Sequence, residues 1–275
     1  LTGIILNAVI KLKKIKNQNI KQIISQFYNI DQFEKIVKKN AKFNVSWIDS
    51  HSLNKKKFRG LFYTGDYHSV KTKINNYEYN NNKTNFFTTL FLKAYIHNFF
   101  LSKIINYIFF RFIKKESIVN FDKFFYPQDK WLNFNNCYNN GFFQIQFLIP
   151  EKKFRYVIQT ISEFFDKNKV KSTFIIIKKI NEKGKYLNFY GKGYSISFDF
   201  NNDFKSKEIK NFFLKLISTH NLRINFSKDI IQKYKLIKNK KEYVNFKQNL
   251  KYLDKQKIMN NEFSKRLRLK LKDEI

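Results

Sequence analysis

Five polar side chains stand at positions where a strand puts alternate residues on opposite faces. Gln144 and Gln146 alternate with Phe143, Ile145 and Phe147, and Ser195, Ser197 and Asp199 alternate with Tyr194, Ile196, Phe198 and Phe200. Two carboxamides, two hydroxyls and a carboxylate donate and accept hydrogen bonds, which suits them to holding a polar ligand. If a further domain covered such a face, each unpaired group would cost about 1 to 3 kcal/mol, so these groups should be hydrogen-bonded to something. The plain alternative is a solvent-facing strand surface. Other chemistries find less support. His51, His68, His97 and His220 are dispersed without ligand spacing, Cys137 is the sole cysteine, and there is no nucleophile elbow or phosphate-binding loop.

The elements that must position these groups are legible from Gly141 onward. An alternating strand ends at Pro150, and a helix follows with Phe154, Val157, Ile158, Ile161, Phe164 and Phe165 at helical spacing to about Asp166. Ser172 to Ile180 is a β-branched strand, Gly184 marks a turn, and Tyr186 to Phe200 holds another strand broken near Gly191 and Gly193. Asp203 is a plausible cap for a second amphipathic helix carrying Ile209, Phe212, Phe213, Leu216 and Ile217, and Leu222 to Phe226 closes with a strand. The order βαββαβ predicts an α+β fold of the ferredoxin-like kind: an antiparallel sheet, both helices on one face, and the first and third strands as central neighbours. The polar set then gathers on the face away from the helices.

Earlier in the chain, Leu1 to Ile10 reads as an apolar strand, Ile30 to Lys39 as a helix capped at Asp31, and Phe43, Val45 and Trp47 as a strand. Residues 54 to 85 read as loop with one short strand around Leu61 to Tyr67, and Tyr77 to Lys83 is low in complexity. The apolar stretch Phe86 to Phe110 is interrupted by Lys93, His97, Asn98, Lys103 and Asn106, so it reads as helix or loop and not as a bilayer span. No signal peptide is expected at Leu1-Thr2-Gly3.

The formal net charge is +33, but 48 of the 54 basic residues are lysine, and Asn, Ile, Phe and Tyr are abundant as well. All five types have AT-rich codons, so base composition explains much of the excess and a specific nucleic-acid partner is not expected. The lysine excess would also allow peripheral contact with an anionic membrane.

The run Phe142 to Pro150 resembles the start of the equivalent unit in the decaprenylphosphoryl-ribose 2-oxidase family. Gly193 to Phe200 is similar to that family's Gly-Trp-Asn-Ile-Cys-Val-Asp-Phe segment, and Arg223 to Asp229 to its Arg-Leu-Tyr-x-x-Lys-Asp. Leu1-Thr2-Gly3, Trp47 to Asp49, Phe124 to Asp129 and Lys265 to Leu267 look like further landmarks in the same order. The resemblance implies the substrate (cap) portion of an FAD enzyme of the vanillyl-alcohol oxidase type, related also to aldonolactone oxidases. It implies the tail of an upstream FAD domain at 1–14, a cap domain at 15–250 with its ferredoxin-like unit at about 141–228, and a segment at 251–275 returning toward the FAD domain. The implied cofactor is FAD. The implied ligand is a sugar or lipid-linked sugar, with polyprenylphosphoryl-ribose leading and an aldonolactone second, and a partner reductase would complete a net epimerisation.

Carried over residue by residue, the resemblance makes Lys228 the cation near flavin and substrate oxygen, where it could stabilise charge developing in hydride transfer. Asn225 stands where the family has a Tyr beside the flavin. Gln144, Gln146, Lys179, Ser195, Ser197, Trp47 and Phe125 fall on substrate-side positions, Lys179 with a one-residue ambiguity because Lys178 adjoins it. The departures are Ser197 for Cys, Ser195 for Asn, Asn225 for Tyr, Phe125 for Tyr and Asn136 for Arg, which put the identity of the sugar in doubt. An RNA-recognition module is the alternative of another class, since it shares the topology and Lys192-Gly193-Tyr194 opens like its third-strand motif. Ile196, Asp199 and the two glutamines stand where that module needs stacking rings.

Overall fold

The computed structural model describes residues 4–12, 14–15, 18–38, 41–53, 57–68, 86–127, 134–228, 231 and 233–270. Leu1 to Gly3, the tract Tyr77 to Lys83 and Asp229 lie outside the described residues. The strands are β1 (Asn19–Phe27), β2 (Phe43–Ile48), β3 (Gly60–Tyr67), β4 (Glu116–Asn120), β5 (Phe142–Ile149), β6 (Phe174–Glu182), β7 (Gly191–Asn201) and β8 (Arg223–Ile224). The helices are α1 (Ile30–Ile36), α2 (Phe86–His97), α3 (Phe99–Phe112), α4 (Phe121–Phe125), α5 (Phe154–Asn168), α6 (Ser206–His220), α7 (Lys241–Leu253) and α8 (Glu262–Arg266). All described strands join one antiparallel sheet in the order β4-β1-β3-β2-β6-β7-β5-β8, so the fold is α+β.

The quartet β8-β5-β7-β6 with α5 and α6 is the expected βαββαβ unit, in its expected strand order. Its core forms because the stripes of both helices meet the apolar parity of the strands. Val157, Ile161 and Phe165 of α5 and Phe213 and Leu216 of α6 bury against Ile145, Phe147, Ile196 and Phe198. The Phe164 and Phe212 rings stack at 3.8 Å and tie the two helices together. Each helix ends in a left-handed residue, Lys169 and Asn221, whose amide returns to the last turn. The cap expected at Asp203 sits one turn earlier than the helix proper: its carboxylate accepts from the Lys205 amide and its own N–H donates to the Ser206 hydroxyl.

The other half, β4-β1-β3-β2, extends the sheet from the β6 edge through the β2–β6 register Trp47↔Ile176. On the face away from α5 and α6, α3 lies over this half, where Phe110 packs with Ile24, Trp47 and Leu61. The chain's own helices therefore cover part of the face that the ferredoxin-like reading leaves open.

Two upstream expectations are corrected. Residues 4 to 10 are not a strand: they have no regular secondary structure, and Ile5, Leu6 and Val9 stand in solvent, because the sheet's outermost strands are β4 and β8 and neither takes this segment as a neighbour. The cap of α1 is Asn29, whose side-chain oxygen accepts from the Gln32 amide at 2.9 Å, while Asp31 lies inside the helix and pairs with Arg155. Phe86 to Phe112 forms α2 and α3, and no described helix is long and apolar enough to cross a membrane.

Candidate functional site

Register alone assembles the polar face. Gln144 lies opposite Asp199, Gln146 opposite Ser197, and Ser195 is flanked by Leu148 and Lys178. Cross-strand partners share a face, so the two glutamines, two serines, Asp199 and Lys178 stand together on the side of β6-β7-β5 away from α5 and α6. Phe143, Ile145, Phe147, Ile196 and Phe198 take the helix side, as the alternation requires.

The side chains are wired to one another. The Asn225 amide donates to Gln146 Oε1 at 2.7 Å, and Gln146 Nε2 donates to Ser195 Oγ at 2.9 Å. The Ser227 hydroxyl donates to Asn225 Oδ1 at 2.7 Å, and the Gln144 amide donates to Asp199 Oδ1. Asn225 also continues the β8 pairing, its N–H reaching the Gln146 carbonyl at 3.0 Å. Lys228 follows in the next turn, its N–H donating to the Asn225 carbonyl at 3.1 Å.

The face has an electrostatic polarity. Burial pushes the Asp199 carboxyl above its ordinary range, opposed by the Gln144 hydrogen bond and the Lys228 charge. Burial and the Lys228 charge together pull the Lys178 ammonium below its ordinary range. Lys228 therefore lies close enough to act on both groups. Phe174 pairs with Asp199 across the strands, and Tyr138 lies within its electrostatic reach. Asp199 thus marks the enclosed end of the face, Ser195 and Ser197 are buried next to it, and Lys228 is exposed, while Lys178 reaches solvent with part of its side chain enclosed.

Three expected members do not join. Lys179 points to the opposite face: it pairs with Tyr194, and its Nζ lies 3.4 Å from a Glu151 carboxylate oxygen. Strand parity puts the adjoining Lys178, and not Lys179, on the polar face, because Ile175 and Ile177 are the helix-covered parity of β6. Trp47 shares the face and lies two strands from Ser197, but it is only 7% exposed and its ring packs edge-on against Phe109 at 5.2 Å, so it belongs to the α3 contact. Phe125 sits on α4 against Phe43 at 4.7 Å, beside Phe121, away from β7 and β5. Asp199 is the member to which residue-by-residue comparison gives no role, and strand alternation places it on the face.

A second polar cluster lies under α2 and α3. Asp49, fully buried, pairs with Arg59 and accepts from the Asn106 amide at 2.8 Å. His51 Nε2 stands 2.8 Å from Ser102 Oγ, and Lys171 Nζ donates to Ser102 Oγ at 3.1 Å and to the carbonyls of Tyr95 and Ile96. Serine, histidine and aspartate meet here without forming a nucleophile. Asp49 accepts from the backbone N–H of His51, not from its ring, and the buried Ser102 hydroxyl donates to the Phe99 carbonyl. Burial depresses His51 to about 4 against the opposing charge of Asp49, and lowers Lys171 to about 8. The cluster fastens the helical hairpin to the sheet.

At the β8 end, the Arg223 guanidinium stacks over the Tyr190 ring at 3.8 Å and pairs with Glu242 of α7. A shallow cleft of about 370 Å³ opens there between Tyr186, Tyr190, Lys241 and Asn245. Among the described residues no group of His, Cys, Asp or Glu side chains could hold a metal ion.

No family model matches the chain, and no curated protein matches it.

Proposed function

We propose that this chain supplies the substrate-holding side of an FAD-dependent oxidoreductase that oxidises a sugar at a hydroxyl-bearing carbon. The observation carrying the reading is that Gln144, Gln146, Ser195, Ser197, Asp199 and Lys178 share the face of the sheet opposite α5 and α6, where Gln144 is bonded to Asp199 and Gln146 to the buried Ser195, with Lys178 and Asp199 within the electrostatic reach of Lys228. A row of amides and hydroxyls flanked by one carboxylate and two ammonium groups matches what a polyhydroxylated, partly anionic ligand needs. The sequence resemblance adds the flavin.

The donor set suits that cofactor. Lys228, adjoining the face, would present a cation to the carbonyl edge of a flavin ring, which gains negative charge on reduction, and Asn225, whose carboxamide is bonded to Gln146 and Ser227, would hold the turn that carries it. When bound, FAD supplies the hydride acceptor. The chain's own groups do the rest. Gln144 and Gln146 orient the sugar hydroxyls, and a fixed orientation lowers the entropic part of the barrier. Asp199, with its carboxyl raised by burial, accepts the hydroxyl proton on a carboxylate oxygen as the carbonyl forms. The Lys228 ammonium offsets negative charge growing on that oxygen. Within the class, a lipid-linked ribose and an aldonolactone both meet these requirements, and neither Trp47 nor Lys179 contributes to the choice.

The test is to express the chain within its full open reading frame with FAD supplied. The product should purify yellow with stoichiometric FAD, and a pentose derivative or aldonolactone should bleach it anaerobically. Lys228→Ala should slow the bleaching by roughly 100-fold. A colourless protein that fails to take up added FAD would remove the reading. An RNA-binding role finds no support in the same face, because the aromatic side chains of β5 and β7 that stacking needs, Phe143, Phe147, Phe198 and Phe200, are buried under α5 and α6.

A further inference from the structure

We infer that the α2–α3 hairpin is a docking surface for an anionic lipid bilayer, with its helices lying in the headgroup plane and not across the membrane. The inference is independent of flavin chemistry and rests on where this chain leaves its phenylalanines. Phe87 is 74% exposed, Phe91 52%, Phe100 70% and Phe112 77%. Outside the hairpin, the exposed phenylalanines among the described residues are Phe142 and Phe204. A protein that buries most of its aromatic rings has concentrated the exceptions on two consecutive helices, and a patch of that kind marks an interaction site.

The hairpin cannot turn these rings inward. Leu92, Tyr95 and Ile96 of α2 and Ser102, Asn106 and Phe110 of α3 form the buried stripes. Those stripes are locked to the sheet by the Asn106–Asp49 and Lys171–Ser102 hydrogen bonds and by the Gln26 amide, which donates to the Phe110 carbonyl at 2.6 Å. The outward stripes are therefore fixed outward.

Charge and length choose the occupant. From Phe86 to Lys115 the chain has Lys93, Lys103, Arg111, Lys114 and Lys115 and no aspartate or glutamate. Lysines interspersed with exposed apolar residues are depleted in protein interfaces, whereas an anionic bilayer accepts both, with rings at the acyl boundary and ammonium groups among the phosphates. The helices have 12 and 14 residues, roughly 18 and 21 Å, too short for a hydrocarbon core of about 30 Å.

The test is sedimentation of the full chain with vesicles of phosphatidylcholine alone, and of phosphatidylcholine with about one third phosphatidylglycerol. Because the net charge is +33, simple electrostatic attraction must be separated from insertion. At about 1 M salt, where screening shortens the range of charge to about 3 Å, binding to anionic vesicles should weaken but persist. The charge-neutral triple substitution F87S/F100S/F112S should lower vesicle affinity at least about tenfold with an unchanged circular dichroism spectrum. If the triple variant loses helix signal, F112S alone, at the most exposed of the three, is used instead. Equal binding of variant and wild type that vanishes in high salt would overturn the inference in favour of whole-chain charge. Absence of lipid binding, with self-association that the same substitutions abolish, would overturn it in favour of a second copy of the chain.

Discussion

The Asn225 carboxamide donates to Gln146 Oε1 at 2.7 Å and so adds a side-chain bond to the pairing with β5 that the backbone makes through Arg223, Ile224 and the Asn225 N–H. Gln146 passes the connection to Ser195 at 2.9 Å, which places β8, β5 and β7 in one hydrogen-bonded row. Asn225→Ala removes the donor and should cost about 1 kcal/mol in urea unfolding. Asn225→Asp should cost more, because it sets two acceptors against each other.

Asp199 gives the polar face a pH dependence of its own. Its carboxyl is raised in the folded state above the ordinary 3.8, so between that value and the raised one the folded chain binds more protons than the unfolded chain. This contribution to stability is present in acid and is lost as pH rises through the folded value. Asp199→Asn should flatten that decline in denaturant titrations at pH 4, 6 and 8. In the flavin assay it should lower the bleaching rate more than it raises KM, which a purely structural role would not do.

His51 acts with the opposite sign. Its imidazole is depressed to about 4 from 6.5, so the folded chain binds fewer protons than the unfolded chain across that window. Stability should therefore fall on acidification from about pH 6.5 to 4, by about 1 to 2 kcal/mol after allowing for solvent. His51→Gln should remove the fall. Because Asp199 and His51 pull in opposite directions, their single variants separate the two slopes.

Gly193 is required by close approach. It has φ of +150°, pairs with Ile180, and a Cβ there would collide with the Ile149 carbonyl oxygen. Gly193→Ala should destabilise by about 2 to 4 kcal/mol and broaden the resonances of β5 and β7 residues beside it.

The half of the fold built from clean periodicity is legible in the sequence. Val157, Ile158 and Ile161 could only be one face of a helix, and Gln144 and Gln146 could only oppose Phe143 and Ile145. The other half hides its pattern, because polar residues there satisfy partners that sequence does not reveal. Gln22 and Gln26 fall on the α3-covered parity of β1, where a strand reading wants apolar side chains, and Gln26 is there because the Phe110 carbonyl at the end of α3 needs a donor. β4 is five residues of edge strand with little apolar content. Trp47 has the spacing of a pocket wall, yet a helical hairpin lies over it. Lys179 fails by one residue, which in a strand is the whole difference between faces.

The most direct measurement follows the side-chain amide resonances of Gln144, Gln146 and Asn225 by NMR while a pentose phosphate and an aldonolactone are titrated into the chain. Saturable shifts of these three at millimolar ligand, lost in Gln146→Ala, are the predicted result. Unmoved resonances at saturating ligand, or shifts confined to the Tyr186 and Tyr190 cleft, would contradict the assignment of this face as the place where a sugar is held.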